Sequence, residues 1–257
     1  MLSPILMEIV VLDRYSGIVL LPDKSGSNNY SQLECKVLDR DISDEHIEEL
    51  VKMHNEAWSP IEITPETLKE RVKNGILIGG FLKEQPKSLL EILALKVDEV
   101  SSDIHYKERV LEVCRALHRE YGDYYGLTNG GNFFPAQAGA NVGMMLDLTT
   151  HLGIRGKGIG DGTTEFFKAL VLQRYGFERP PSMKDVEYVL TFSPKPNDYD
   201  GDQESNKGAI GLHLKHGAFN TGYVWKNGRP GSNQPDSIIT CYLAPKYVPR
   251  FGDTNNS

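Results

Sequence analysis

The chain has 257 residues, of which 39% are hydrophobic and 25% are charged, and its formal net charge is −7. These values are typical of a globular protein with one hydrophobic core. The acidic balance excludes nonspecific binding to nucleic acid or to anionic membranes as the main activity. The longest apolar runs fall far short of a membrane span.

Two features of the sequence predict a cytoplasmic protein. The N-terminus carries no basic region before its apolar residues, so we expect no signal peptide. Cys35, Cys114 and Cys241 are odd in number and widely spaced, so we expect reduced thiols. No group of His, Cys and Asp residues has the spacing of metal ligands, and we therefore expect no metal site.

The first predicted elements form a hairpin. Two apolar runs, residues 5–12 and 17–22, flank a short turn at 13–16, and a polar linker follows them. We therefore interpret residues 1–30 as an appendage. The other predicted boundaries are a main domain at 31–243 and a C-terminal tail at 244–257.

Two helices are predicted early in the main domain, after a strand at Leu33–Leu38. Ser43 is a suitable N-cap, and the apolar residues after it recur at helical spacing as far as Trp58. A second helix begins at Thr64-Pro65, a cap followed by proline in the first turn, and ends at Asn74-Gly75.

Two strands are predicted next, at Ile76–Leu82 and Leu89–Val97, with a turn containing Pro86 between them. Residues 98–141 then interrupt the alternation of elements. A helix at Tyr106–Tyr121 leads into a long loop rich in glycine, asparagine and aromatic residues. Loops of this length inside a compact domain usually have a function, so we predict that this insert helps to select the acceptor.

The second half of the domain returns to a regular alternation. The predicted elements are a strand at Val142–Leu148, a helix from about Gly160 to Tyr175, a strand at Val186–Ser193, a helix at 206–216 and two final strands around a turn at 227–230. This order predicts an α+β domain in which helices flank a mixed central sheet.

The segment GIRGKGIGDG, residues 153–162, lies between a predicted strand and a predicted helix. Glycines let backbone N–H groups approach an anion closely, and the positive end of a helix lies beside them. Arg155 and Lys157 add local positive charge. The spacings of the P-loop and of the dinucleotide-binding motif are both absent. We predict a phosphate or pyrophosphate site here, with a simple glycine-rich turn as the alternative.

Arg155, Gly158 and Gly160 match the motif R-x-x-G-x-G. With the order of elements from about residue 33 to 243, this motif resembles the GNAT superfamily of acyl-CoA acyltransferases. The resemblance implies a GNAT-like sheet with a long insert before the CoA-binding strand, acetyl-CoA or another acyl-CoA as co-substrate, and a strand at Met144–Thr149 that splays from its neighbour. The implied CoA-binding residues are Leu148, Thr149, Arg155, Gly156, Lys157, Gly158, Ile159, Gly160 and Asn206.

A second part of the resemblance covers residues 206–218. Many superfamily members carry N-x-x-A-x-x-L-Y at this place, and their tyrosine protonates the departing CoA thiolate. Asn206, Ala209 and Leu212 match the motif, but His213 stands at the tyrosine position. Histidine titrates near neutral pH and can act as acid or base, so the resemblance implies a catalytic role for His213. A histidine packed in the core is the alternative.

Five further residues are candidates for the site. Thr191 points from its strand toward the expected thioester, and Glu91 or Asp147 would accept the amine proton through water. Trp58 lies where the superfamily places its acceptor-side wall, and Arg229 would contact a carboxylate from its turn. Core packing and a solvated turn are the alternatives for these last two. Trp58, Thr191, His213 and Arg229 together also resemble a GNAT-like subgroup found in polyketide loading modules.

Three functions are open at this point. The first is transfer of an acyl group from CoA to an amine. The second is decarboxylation of a malonyl-type thioester or acyl transfer to a carrier protein, as in the loading-module subgroup. The third is CoA binding without catalysis. We expect a small molecule or a carrier protein as acyl acceptor and no nucleic-acid or membrane partner, and a homodimer is left open.

Overall fold

In the described part of the chain, helices pack on both faces of a nine-stranded sheet. The computed structural model describes residues 7–22, 30–58, 62–98, 105–122, 132–194, 203–226 and 236–244. The strands are β1 (Ile9–Asp13), β2 (Ser16–Pro22), β3 (Tyr30–Val37), β4 (Ile76–Leu82), β5 (Gln85–Leu95), β6 (Val142–Thr150), β7 (Tyr188–Pro194), β8 (Phe219–Trp225) and β9 (Ser237–Leu243). The helices are α1 (Asp44–Trp58), α2 (Pro65–Asn74), α3 (Tyr106–Tyr121), α4 (Ile159–Val171) and α5 (Gln203–Lys215).

The strand order is β1-β2-β3-β4-β5-β6-β7-β9-β8. Neighbouring strands are antiparallel except β6 and β7, which are parallel. A parallel pair needs a crossover connection, and α4 provides it. The predicted α+β class and mixed sheet are therefore confirmed.

Local chemistry explains where the first two helices begin. The Ser43 hydroxyl accepts a hydrogen bond from the backbone N–H of His46 at 3.3 Å. The Thr64 hydroxyl accepts one from the N–H of Thr67 at 3.2 Å, and Pro65 occupies the first turn. Each cap satisfies an N–H group that has no partner within the helix, so both predicted helix starts are confirmed.

Two predicted boundaries are wrong for backbone reasons. The turn between β4 and β5 is formed by Lys83 and Glu84, with φ of 50° and 67°, and Pro86 already belongs to β5. Helix α4 ends at Val171 and does not reach Tyr175. The next turn contains Gln173 and Tyr175 in left-handed conformations, with φ of 51° and 57°, and such residues cannot continue a right-handed helix.

The sheet separates two hydrophobic layers. Helices α1, α2 and α3 pack on one face, where Leu50, Leu68 and Val113 are buried. Helix α4 covers the other face through Phe166 and Phe167. β1 and β2 continue the same sheet beyond β3. Among the described helices, none combines the length and the apolar character that crossing a membrane requires.

All three cysteines are buried, and none forms a disulfide. Burial raises the pKa of the Cys114 thiol to about 12 and also raises the pKa values of Cys35 and Cys241. The thiols are therefore protonated and serve as small apolar side chains of the core.

Candidate functional site

A gap opens in the sheet between β6 and β7. The two strands pair from Val142 with Tyr188 to Met145 with Thr191, and no later pair joins the described residues of these strands. β6 nevertheless continues to pair with β5 as far as Thr150. Peptide groups of β6 beyond Met145 therefore face the gap on the β7 side. This geometry agrees with the expected splay of the strand.

β6 carries a bulge at the level where the gap begins. Glu91 of β5 pairs with Asp147, whereas the next β5 residue, Ile92, pairs with Met145, so Leu146 is an additional residue. A bulge bends its strand and redirects side chains. Leu146 packs into the layer of α1 to α3, and Asp147 faces α1, where it lies near His54.

The glycine segment connects β6 to α4 along the edge of the gap. Gly156 and Gly158 are left-handed, with φ of 79° and 81°, and Gly158 is the N-cap of α4. A Cβ atom added to either glycine would meet no atom within 4 Å, so open space lies beside both. The first N–H groups of α4 point out of the helix end, which is the geometry of an anion site.

The charges around this helix end are suitable for an anion. Arg155 and Lys157 are exposed, and within the described parts of the chain neither forms an ion pair. Asp161 in the first turn of α4 is neutralised by Lys215 Nζ at 2.5 Å and by His216 Nε2 at 2.9 Å. These two partners, His216 foremost, lower the pKa of Asp161 to about 2. The helix end therefore keeps its positive character.

Two of the other predicted CoA-binding residues face opposite sides of β6. A Cβ on Gly160 would lie 3.9 Å from Leu148 Cδ2 and 3.8 Å from Leu212 Cδ2 of α5, so Leu148 faces the α4 side. The side chain of Thr149 lies on the α1 side. Ile159 is the first residue of α4, and its side chain is buried in the layer under α4.

Two predicted residues lack a described side-chain environment. Asn206 lies within α5, and Arg229 lies outside the described residues. Their roles stay predictions.

Thr191 and His213 lie on the α4 and α5 side of the sheet. Thr191 is the last β7 residue paired with β6, and its hydroxyl lies 2.6 Å from that of Thr240 on β9. Nδ1 of His213 lies 3.0 Å from the hydroxyl of Tyr242, two residues further along β9. Burial lowers the pKa of His213 to about 4, so its imidazole is neutral at pH 7.

Trp58 lies on the opposite side, above the end of β6. Its Nε1 donates a hydrogen bond of 2.8 Å to Oγ1 of Thr149, and its ring is half-buried. Trp58, which the sequence predicts as the acceptor-side wall, is thus held against β6, the strand that borders the gap.

The other two predicted catalytic residues, Glu91 and Asp147, belong to a buried charged cluster under α1 and α2. Arg71 Nη1 lies 2.7 Å from Glu91 Oε2. His54 Nε2 lies 3.9 Å from Glu91 Oε1 and 3.9 Å from Asp147 Oδ2. The side chains of His54, Arg71 and Glu91 are 0–3% exposed, and that of Asp147 is 9% exposed.

The cluster sets the carboxyl groups of Glu91 and Asp147 against one fixed cation, Arg71, and one titratable imidazole, His54. Burial opposes a charge on His54, but the facing carboxylates of Asp147 and Glu91 outweigh it, so the pKa of His54 lies above its ordinary value. Burial raises the pKa of Glu91, and the guanidinium of Arg71 opposes that rise. While His54 is neutral the two carboxylates outnumber Arg71 by one charge, and a proton on His54 brings the formal charge of the four residues to zero, which favours uptake of that proton in a buried site.

Sequence spacing did not indicate this grouping. His54, Glu91 and Asp147 place ligand-type atoms within 4.8 Å of one another, but they come from α1, β5 and β6. Arg71 already supplies a positive charge to the cluster, and protonation of His54 supplies the second. The sequence expectation of no metal site therefore stays a prediction.

Comparisons with known proteins bear on the fold. No protein-family model matches the sequence, and no curated protein matches it. The structure is similar to that of the GphF GNAT-like decarboxylase in complex with isobutyryl-CoA, with a TM-score of 0.53 at 15% identity over 81% of this chain and 98% of that one.

Two further solved structures align over similar lengths. The loading GNATL domain of CurA from Lyngbya majuscula gives a TM-score of 0.49 at 14% identity, covering 82% of this chain and 97% of that one. The GNAT domain of S. lividans PAT gives 0.47 at 9% identity, covering 92% and 96%. The strand gap, the helix end beside it and the similarity to the GphF structure agree: the chain has the GNAT fold.

Proposed function

We propose that the chain is an acyl-CoA-dependent acyltransferase that transfers the acyl group to an amine. One observation carries the proposal: a left-handed glycine loop at the positive end of α4 borders an open gap between β6 and β7. In this proposal the loop binds the CoA pyrophosphate, and the gap holds the pantetheine arm and the thioester.

The similarity to a fold neighbour supports the choice of ligand. The GphF structure is described as a complex with isobutyryl-CoA. In this chain, the exposed Arg155 and Lys157 beside the helix end are suited to the negative charge of a pyrophosphate. The neutralisation of Asp161 removes the nearest described carboxylate charge from that end of α4.

The proposed reaction is attack of an amine on the thioester carbonyl. The new C–N bond forms as the C–S bond breaks, and the electron pair of that bond leaves on the CoA sulfur. Peptide N–H groups of β6 beyond Met145 face the gap and would stabilise the oxyanion. A neutral His213 and the hydroxyl of Thr191 lie on the CoA side, where they would orient the thioester.

Decarboxylation of a malonyl-type thioester is the alternative reaction, and the test must distinguish it from amine transfer. A malonyl carboxylate needs a cationic partner, and Arg229, the sequence candidate for that contact, lies outside the described residues. Malonyl-CoA therefore belongs in the same assay.

Binding of acetyl-CoA to Gly158→Asp tests the proposed cradle. The added carboxylate would stand at the helix end, so we expect affinity to fall about 100-fold, or about 3 kcal/mol, through repulsion of the pyrophosphate. Isothermal titration calorimetry measures this change. Gly176→Asp is the matched control, because Gly176 is also left-handed, with φ of 91° and open space around its Cβ, but lies beyond the other end of α4.

The outcomes of this comparison are distinct. Similar affinity in both variants, with both folded by circular dichroism, contradicts a pyrophosphate site at the glycine loop. Turnover is then followed as free thiol and as carbon dioxide, with acetyl-CoA, isobutyryl-CoA and malonyl-CoA against a panel of primary amines. Binding without release of either product would identify a non-catalytic CoA-binding module, and carbon dioxide from malonyl-CoA a decarboxylase.

A further inference from the structure

We propose that His54 is the proton acceptor of the transfer reaction, and that it receives the amine proton from the gap by way of Asp147. This inference rests on the proposed function and deepens it, because it assigns the destination of the proton that the attacking amine must lose. His54 belongs to the four-residue cluster under α1 and α2, on the face of the sheet opposite to α4.

The geometry around His54 Nε2 is that of a site for one proton. Glu91 Oε1 and Asp147 Oδ2 each lie 3.9 Å from Nε2. Three acceptor atoms thus converge when the imidazole is neutral with its proton on Nδ1. Glu91 Oε1 is fully buried and has no hydrogen-bond partner among the described residues. A proton on Nε2 turns the imidazole into a donor toward both carboxylates, whereas the buried Nδ1 has no hydrogen-bond partner among the described residues.

Arg71, the fixed cation of the cluster, is not available as a proton acceptor. Arg71 Nη1 is bonded to the second oxygen of Glu91 at 2.7 Å, and its guanidinium lies 5.2 Å from the ring centre of Phe133. Arginine does not release its proton in proteins. His54 is the member of the cluster whose ordinary pKa already lies near neutral pH, and the two carboxylates raise its pKa.

Asp147 connects the cluster to the gap. It is the most exposed of the four residues and lies two residues beyond Met145, where the pairing of β6 with β7 ends. The β6 bulge turns Asp147 toward α1. One turn after His54 on α1, Trp58 bonds Thr149 of β6, so His54 and Trp58 cover successive positions along the border of the gap.

The proton balance of the step is as follows. The amine nitrogen forms the C–N bond with the acyl carbon, the C–S bond breaks, and the thiolate leaves with the electron pair. The N–H proton passes to the carboxylate of Asp147 and from there to His54 Nε2. The thiolate takes a proton from solvent, and His54 returns its proton to solvent before the next turnover. The net products are an amide and CoA thiol.

The test compares His54→Gln with His46→Gln. His46 lies two turns earlier on the same helix, where its Nε2 meets the carbonyl oxygen of Glu84 at 3.1 Å, away from the cluster. With acetyl-CoA and a reactive primary amine, we expect His54→Gln to lower kcat about 100-fold, the usual contribution of a general base. The KM for acetyl-CoA should stay within about twofold, and the rise of kcat with pH should flatten. His46→Gln should match the wild type.

A second measurement remains decisive if His54→Gln fails to fold. Nuclear magnetic resonance of labelled imidazoles gives the pKa of His54 in the wild type, which should lie above 6.5 and coincide with the midpoint of the kcat–pH rise. Disagreement between the two midpoints overturns the inference.

The remaining outcomes separate this inference from the proposed function. A folded His54→Gln with wild-type kcat and pH profile overturns the inference alone. Wild-type protein without turnover overturns the proposed function, and the inference with it. Saturable binding of Zn²⁺ or Mn²⁺ to the wild type in calorimetry, lost in His54→Gln, also overturns the inference, because the cluster would then be a metal site.

Discussion

Two histidines near the end of α5 show how contacts set the charge of one residue type. His213 lies against the hydroxyl of Tyr242, and burial lowers its pKa to about 4. His216 is equally buried, but its two nitrogens face Asp161 at 2.9 Å and Glu165 at 2.5 Å. Burial opposes its charge, and these carboxylates outweigh burial and raise its pKa. At pH 7 the first is therefore neutral, whereas the second keeps its proton to a higher pH than an ordinary histidine does.

His213→Phe should cost stability at pH 7 and less at pH 5. The substitution removes the bond between Nδ1 and the Tyr242 hydroxyl and leaves that hydroxyl with its 3.4 Å bond to the carbonyl oxygen of residue 213, which costs about 1 kcal/mol. A histidine whose folded pKa is depressed from 6.5 to about 4 loses stability as pH falls through that window, because the unfolded chain binds more protons. At low pH the wild type therefore loses up to about 3 kcal/mol of folding stability, and the variant, which lacks this histidine, does not. Urea unfolding at both pH values measures the difference, and an equal cost at both would contradict it.

His216 joins the start of α4 to the end of α5. Its raised pKa gives stability that is fully present below 6.5 and is lost as pH rises through the folded value. His216→Gln should therefore destabilise the protein by about 1–3 kcal/mol at pH 6 and by less at pH 9. It should also weaken acetyl-CoA binding, since Lys215 alone would then offset the negative charge of Asp161 beside the helix end. Chemical denaturation with His46→Gln as control measures the first effect, and a pH-independent cost would contradict it.

Helix and strand positions were predictable to the extent that local chemistry sets them. Caps such as Ser43 and Thr64 act within one turn, so the sequence alone indicates them. The turn at Lys83-Glu84 was missed because its left-handed residues are neither glycine nor asparagine. Leu82 pairs directly with Gln85 and leaves a two-residue loop, which requires left-handed residues, and the local sequence does not indicate it.

The candidate site, like the secondary structure, was predicted only where local sequence determines it. The glycine loop is a contiguous motif and was found from its spacing. His54 was missed because its position on α1 continues the spacing of the apolar residues Leu50 and Val51. Its partners Glu91 and Asp147 become neighbours only through the β5–β6 register and its bulge. Residues that strand pairing brings together cannot be recognised as a group from their spacing in the sequence.

The two faces of the sheet carry two different groups of candidate site residues. On the α4 and α5 face lie the glycine loop, Thr191 and His213, which serve CoA in the proposed function. On the α1 and α2 face lie Trp58 and the charged cluster around His54. Phe133 of the insert packs over Arg71 on this second face, which places part of the insert on the proposed acceptor side. The gap between β6 and β7 is where the two faces meet.

The N-terminal hairpin bears on the stability of the whole molecule. β2 pairs with β3 from Ser16 to Pro22. Leu21 is 2% exposed, and a Cβ added to Gly162 of α4 would lie 2.7 Å from Leu21 Cδ2. The hairpin thus packs closely against the helix that begins at the glycine loop. This contact makes the sequence interpretation of residues 1–30 as an appendage testable.

Leu21→Ala should destabilise the protein by about 2–5 kcal/mol, because a buried leucine is replaced beside a helix that cannot close the cavity. Leu12→Ala is the matched control in the same hairpin: Leu12 is 52% exposed, so its loss should change stability by less than about 0.5 kcal/mol. Thermal and urea unfolding, monitored by the fluorescence of Trp58 and Trp225 in the main domain, report on the core rather than on the hairpin. A shift of that transition in Leu21→Ala alone shows that hairpin and core unfold as one unit. An unchanged transition in both variants would instead support a separable appendage.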